Sequence, residues 1–278
     1  MLLELEDISK IYGESCGSCL DLTGEEHAGA ICPVCGCVVA VNRVSLSMTG
    51  GEVLGIVGES GSGKSTLLQI IYQDQPATEG TVFFNGITDS AGRRQNILEL
   101  PATRTAKIRN HEMSMIYQNP HLGLNFNFSG GGNIAEKILN SDEKRYEVIR
   151  ERALYYFDKI ELPTSRIDDY PEAFSGGQQQ RIQIAKALSS SPRLLLLDEP
   201  TTGLDVSVQA KILDLIKALQ NDMGFSMIVV SHDLGVIHHL TDLTMVMKNG
   251  SLVEYGLTDQ ILEDPQHPYT QLLVSSKL

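Results

Sequence analysis

The residues with the clearest chemistry are Gly58-Glu59-Ser60-Gly61-Ser62-Gly63-Lys64-Ser65, which have the types and spacing of a G-x-x-x-x-G-K-S phosphate-binding loop. Glycines allow successive backbone N–H groups to turn inward on a polyphosphate. Lys64 can reach its outer phosphates, and the Ser65 hydroxyl suits magnesium. The flanks agree with the motif. Residues 52–57 read as a short buried strand, and residues 64–72 read as a helix free of Gly and Pro. A nucleoside triphosphate with its magnesium is the expected ligand, held by Gly58, Ser60, Gly61, Gly63, Lys64, Ser65 and Thr66.

Three further stretches carry polar groups at the ends of predicted elements. Ser175-Gly176-Gly177-Gln178 opens a helix, where uncovered N–H groups can receive an anion. The apolar run before Asp198-Glu199 reads as a strand with two carboxylates at its end, which suits one acid for a magnesium shell and one for polarising water. His232 follows a second apolar strand, predicted over residues 226–231, that ends on the same edge; a nucleotide-sensing role fits it, whereas a histidine in isolation is usually structural. Tyr12, at the end of an alternating strand, could stack on a base or simply pack. Gln118 at the end of the strand 113–117 supports no functional claim by itself.

Cys16-Gly-Ser-Cys19 and Cys32-Pro-Val-Cys35 form two C-x-x-C knuckles separated by twelve residues. In a chain with reduced thiols, four sulfurs so spaced suit a closed tetrahedral zinc site that shapes a surface. Redox pairs, an iron-sulfur cluster and unliganded thiols are the alternatives. Cys37 and His27 are expected bystanders. Residues 13–38 thus read as a small Cys-rich insertion.

These groups need a framework, and the remaining pattern supplies one. Strands are predicted around residues 3–8, 44–48, 81–85, 113–117 and 193–197, and a hairpin over 243–255 turns at Asn249-Gly250. Residues 88–110 read as a polar surface segment. Residues 125–133, with three glycines beside Phe126 and Phe128, read as a flexible loop or a partner contact. Helical spacing follows over 134–162, with Ile134, Ile138, Val148, Leu154 and Phe157 facing inward; these residues belong to a helical lobe inserted at 119–180. A helix with Val208, Ile212, Leu215 and Leu219 on its inner face follows residues 201–205. Against 22 basic residues stand 35 acidic ones, a formal charge of −13, so nucleic acid is not an expected partner and phosphate recognition has to be local. No apolar run approaches the roughly 18 residues of a membrane span. The opening residues lack the regions of a secretory leader, so the expectation is a cytoplasmic protein without direct membrane insertion.

Taken together, the phosphate loop, Ser175-Gly176-Gly177-Gln178 and Asp198-Glu199 in this order closely resemble the ATP-binding cassette (ABC) ATPases, across nearly all of residues 1–278. The resemblance implies an α/β P-loop NTPase fold with an antiparallel β subdomain, the helical lobe and, as an addition, the zinc-ribbon-like insertion. It implies that Tyr12 stacks on adenine, Gln118 senses magnesium and the γ-phosphate, Asp198 supports magnesium, Glu199 polarises the attacking water, Asp205 lies at a dimer seam and His232 contacts the γ-phosphate. It also implies a head-to-tail homodimer formed on ATP, in which Ser175 and Gly177 of one copy complete the site built on Lys64 of the other. Within the family, Leu204 to Ala210 and the tail His267-Pro-Tyr-Thr-Gln-Leu-Leu273 resemble both peptide-importer ATPases and the ATP-binding subunit of the carbon-phosphorus lyase system. Residues 131–134, 166–169 and 272–276 are more similar to the latter. The implied partners are then other subunits of a phosphonate enzyme complex or, in the alternative, permease subunits.

Overall fold

A computed structural model describes residues 1–27, 29–140 and 143–276. In chain order the elements are β1 (Leu3–Tyr12), β2 (Val38–Met48), β3 (Val53–Val57), α1 (Lys64–Ile71), β4 (Glu79–Thr88), β5 (Arg94–Asn96), α2 (Ala102–His111), β6 (Met113–Ile116), α3 (Pro120–Gly123) and α4 (Gly130–Asn140). They continue with α5 (Tyr146–Lys159), α6 (Gly176–Leu188), β7 (Leu194–Asp198), α7 (Val206–Met223), β8 (Ser226–Ser231), α8 (Leu234–Leu240), β9 (Leu243–Lys248), β10 (Ser251–Leu257), α9 (Thr258–Glu263) and α10 (Pro268–Ser275). The chain divides into two compact units, Met1–Thr105 with Ile228–Leu278, and Ala106–Met227.

The first unit holds an antiparallel sheet in the order β2-β1-β4-β5. Tyr12 pairs directly with Val38, so the whole Cys-rich stretch is an enlarged hairpin loop that leaves β1 and returns into β2. The same unit contains the strands β10-β9-β3-β8 in that order, with β3 parallel to β9 and Val57 opposite Val246. Every residue of β3 is buried, as a strand covered on both faces requires. At Gly55 a Cβ would lie 2.8 Å from Ile237 of α8, so the absent side chain lets that helix pack close. β9 and β10 are joined at Asn249 and Gly250, with φ of 49° and 82°, the left-handed pair that a tight hairpin of this hand demands.

In the second unit β6 runs parallel to β7, with Ile116 opposite Leu197, and the four leucines of β7 are fully buried. Helices α4, α5 and α6 pack together in this unit. The inner face of α5 is Ile149, Ala153, Tyr156 and Phe157, an i, i+4, i+7, i+8 stripe. The expectation of Val148 and Leu154 on that face is corrected, because the helix is rotated to put Phe157 against Phe174.

Two stretches gain detail. The polar segment 88–110 contains β5 and most of α2. Ile108 is the one residue of α2 that is buried, so its sequence carries almost no helical period. The loop expected over residues 125–133 is anchored by Asn133. Asn133 is fully buried; its Oδ1 accepts from the Asn125 N–H at 2.7 Å, and its Nδ2 donates to the carbonyls of Asn125, Phe128 and Ser129 at 2.9–3.2 Å. The glycines open α4, because side chains at Gly130 and Gly131 would meet Phe157 and Ile167 at 2.9 and 2.7 Å.

Candidate functional site

In the first unit the chain leaves β3 at Gly58 and enters α1 at Lys64, so residues 58–63 must reverse direction within one loop. Gly61 and Gly63 have φ of 81° and 100°, a region that residues with side chains rarely adopt. At Gly63 a Cβ would lie 2.0 Å from the Ala40 carbonyl, and at Gly58 it would lie 2.2 Å from that of Met247; the loop is pressed against β2 and β9 by backbone alone. Lys64 is 5% exposed, and its Nζ donates to the carbonyls of Gly58 and Glu59 at 2.8 Å and to Ser62 Oγ at 3.4 Å. A buried ammonium ringed by a glycine loop at a helix start fits a polyphosphate, which offers it a stronger charge-assisted partner than a carbonyl does. Ser60 and Gly61 are exposed, and Ser65 and Thr66 are half-buried in the first turn of α1.

Other parts of the first unit support this loop. The Glu59 N–H donates to the Tyr269 hydroxyl at 3.1 Å, and the Gly250 N–H donates to the Ser62 carbonyl at 3.1 Å. Neither Tyr269 nor Gly250 was flagged by the motif; both come from the far C-terminal part of the chain. His232 follows β8 and is exposed. Tyr12 is 41% exposed, its hydroxyl donates to Gln75, and the Lys10 ammonium lies 5.1 Å from its ring centre.

The second unit gathers the remaining residues. Gln118 lies just past β6 and Asp198 ends β7; because these strands are parallel neighbours, both groups emerge at the same sheet edge. Asp198 is buried, whereas Gln118 is exposed. Glu199 has φ 49°, a strained position for a residue with a side chain, and its carboxylate accepts from the Thr202 hydroxyl at 3.0 Å. Ser175 caps α6 and remains exposed. Its hydroxyl accepts from the Gln178 N–H, and the Gln178 side chain accepts from the Ser175 N–H at 3.1 Å, so the helix start is locked in one shape. Gly177 is buried because a Cβ there would lie 2.4 Å from Val208 of α7. Asp205 is the exposed residue preceding α7.

The sequence motifs do not reveal Gln183. This side chain of α6 is 1% exposed, accepts from the Tyr117 N–H at 2.7 Å and donates to the Tyr117 carbonyl at 3.2 Å. It thus grips the peptide group on both sides of the residue before Gln118. The only clue in the sequence is a glutamine where helical spacing calls for an apolar residue.

The enlarged hairpin loop brings Cys16, Cys19, Cys32 and Cys35 together, with all four sulfurs within 4.8 Å of one another. The separations Cys16–Cys19, Cys16–Cys32 and Cys19–Cys35 are 3.6, 3.7 and 3.4 Å. Four thiolates at about 2.3 Å from a tetrahedral ion would stand roughly 3.8 Å apart, whereas a disulfide needs about 2.05 Å. The cluster therefore fits a metal and is not bonded as disulfides. Among its thiols, that of Cys35 is drawn down to about 6, chiefly by the Cys37 backbone N–H. Cys37 differs: its hydrogen bond with Cys35 and its burial push the thiol up to about 11, and its Sγ donates to the Glu14 carbonyl.

Comparison with known proteins agrees with this geometry. The family model described as ABC transporter matches residues 41–202. The chain is 44% identical over 235 residues to the phosphonates utilization ATP-binding protein PhnK of Escherichia coli K12, covering 84% of this chain and 90% of that protein. It is 39% identical over 239 residues to the dipeptide transport ATP-binding protein DppF of the same organism, covering 86% and 69%. Among solved structures, the dimeric ATP-binding cassette MJ0796 bound to ADP and phosphate superposes with a TM-score of 0.75 at 28% identity, over 92% of this chain and 99% of that one. Among the described residues, no helix is long and apolar enough to cross a membrane. With the ABC model matching more than half of the chain and relatives aligned over most of it, the protein belongs to the ABC transporter family and is an ATPase of that family, whose members bind ATP and magnesium.

Proposed function

We propose that this ATPase works as a cytoplasmic homodimer closed by ATP and drives a conformational change in a soluble enzyme complex that processes phosphonates. Gly58, Ser60, Gly61, Gly63, Lys64, Ser65 and Thr66 hold the phosphates, Tyr12 faces the base, and His232 meets the γ-phosphate. Ser65, Gln118 and Asp198 hold magnesium, which supplies charge neutralisation at the phosphates, while Glu199 orients water. Ser175, Gly176, Gly177 and Gln178, with Asp205 beside them, meet the nucleotide of the second copy. The lobe at residues 119–180 carries those signature residues, and nucleic acid has no part in the cycle.

The observation that favours the phosphonate system is length together with identity. The match to PhnK spans 90% of that protein, whereas the match to DppF leaves almost a third of the importer subunit uncovered. Native affinity purification, with and without non-hydrolysable ATP, tests the choice. Soluble enzyme subunits are expected to co-purify; membrane permeases in their place would establish the second reading, the motor of a peptide importer, which the 39% identity to DppF keeps open.

For the cysteine cluster we propose structural zinc, one ion per chain, because a closed four-sulfur set has no position left for substrate. The protein as purified is expected to contain about one equivalent of zinc. Cys16→Ser or Cys32→Ser is expected to lose it and to loosen residues 13–38, weakening ATP binding without abolishing it. Elemental analysis showing iron, or no metal, would remove the assignment.

A further inference from the structure

The Cys-rich loop reaches the phosphate loop along two separate lines of hydrogen bonds. In the first, the Asn42 side chain donates from one nitrogen to the carbonyls of Leu20 and Thr23, at 2.9 and 3.1 Å, both lying between the two cysteine knuckles. Since both partners are acceptors, the amide end of the side chain has to face them. The Asn42 backbone N–H donates to the Gly250 carbonyl at 2.8 Å, and Gly250 N–H donates to Ser62 of the phosphate loop. Gly24 lets the loop approach this closely: a Cβ there would lie 2.7 Å from Ser251 Oγ and 3.2 Å from Asn42 Nδ2.

In the second line, Glu25 of the insertion bonds the His267 ring through Nε2. The other ring nitrogen, Nδ1, accepts from the Tyr269 N–H at 3.1 Å, and the Tyr269 hydroxyl accepts from the Glu59 N–H. Ser62 and Glu59 are joined to each other by the Ser62 N–H on the Glu59 carbonyl at 3.1 Å. Both lines therefore end on one turn of the phosphate loop. At its other end the insertion has little core of its own: Cys19, Cys32, Cys37 and Val39, with Ile11, Leu20 and Leu22 against them. Two of those core groups are the sulfurs of the cluster. Besides the Thr23 hydroxyl, which donates to the Cys19 carbonyl at 2.8 Å, an ion on the four sulfurs would help fix the backbone at Leu20 and Thr23 from which the first line starts.

We infer that Asn42 and Glu25 are positioning residues through which a metal ion on Cys16, Cys19, Cys32 and Cys35 orders the phosphate loop, so that metal occupancy raises the affinity for ATP. This rests on the four thiols being a metal site. A loop already held in its binding shape loses less freedom when the phosphates arrive. Coupling of this kind between two sites commonly amounts to 5- to 150-fold, and it is reciprocal, so ATP tightens metal binding by the same factor.

The test compares full-length protein stripped by a chelator with the same protein reloaded with one equivalent of zinc, and reads ATP affinity by calorimetry and metal content by elemental analysis. Reloading is expected to tighten ATP binding on the order of tenfold. The Asn42→Ala/Glu25→Ala protein is expected to take up zinc but to bind ATP equally weakly with and without it. Asn42→Asp, which keeps the shape but cannot donate, serves if the double variant does not fold, and is expected to lose part of the response. Hydrogen exchange in residues 58–66 is expected to slow on zinc loading in the wild type alone. If zinc goes on and off while ATP affinity stays constant, or if the double variant keeps the wild-type response, the inference fails and the metal site stands. If no zinc is taken up, the metal reading itself fails and takes the inference with it.

Discussion

Glu199→Gln is expected to bind ATP as the wild type does and to hydrolyse it about 10²–10⁴-fold more slowly, the usual cost of losing a positioned acid–base group. At 1.36 kcal/mol per tenfold, this is about 3–5 kcal/mol of barrier. The substitution is conservative in shape. The amide oxygen can still accept from the Thr202 hydroxyl, now at 3.0 Å from the carboxylate, so the strained backbone with φ of 49° keeps its support. What disappears is the negative charge that the proposed role assigns to polarising water. The phosphate loop lies elsewhere in the chain and is untouched, so affinity is spared. Lys64→Ala is expected to do the opposite, weakening binding itself by removing the cation that the loop surrounds. Steady-state hydrolysis of Glu199→Gln near the wild-type rate would remove Glu199 from the reaction.

The second large effect is recovery of activity by mixing two dead proteins. Lys64→Ala damages the phosphate loop and Ser175→Arg blocks the exposed start of α6, and each alone is expected to abolish hydrolysis. In a head-to-tail pair formed from one chain of each kind, both lesions fall in one composite site and the other site is intact. With random pairing, half of the pairs are mixed and one of their two sites works, so about a quarter of wild-type activity is expected to return. An ATP-bound Glu199→Gln protein is expected to be mostly dimeric in ultracentrifugation and the ADP-bound wild type mostly monomeric, because in the proposed mechanism only the closed state gains the second set of N–H donors. If mixed pairs demonstrably form and the mixture stays inactive, the sites are not shared between copies. A Glu199→Gln protein that is monomeric at saturating ATP would show that closure requires another subunit.

What could be read from the sequence divides along the distance between interacting residues. The phosphate loop, the residues that open α6 and the Asn249-Gly250 turn are contiguous, and their shapes follow from neighbouring residue types. The strand over residues 226–231 and the leucines before Asp198 are legible because burial on both faces writes an uninterrupted apolar run. The supports are a different matter. Tyr269 meets Glu59 across 210 residues and Gln183 meets Tyr117 across 66, and no local periodicity encodes such pairs. Helix α2 is hidden because it buries only Ile108. The rotation of α5 is hidden because Val148 and Leu154 are apolar as well, and only packing against neighbouring helices chooses between the two stripes. The segment 125–133 is legible only in part for a related reason: three glycines suggest freedom, but here they make room for Phe157 and Ile167.

Gln183 has a consequence for how faithfully movement is passed on. It lies eight residue steps along the helix from Ser175, about 12 Å at 1.5 Å per residue. That length of helix carries a capping box at one end and a two-point hydrogen-bonded grip on the Tyr117 peptide at the other, so little side-chain freedom separates the two ends. Gly123 makes the grip tighter still, since a side chain there would fall 2.2 Å from the Gln183 amide oxygen. A shift of the segment around Gln118 is therefore expected to be felt at the serine at the far end of the helix, with little slack to absorb small strokes. A shorter residue in place of Gln183 would introduce slack, and the first strokes lost would be the smallest.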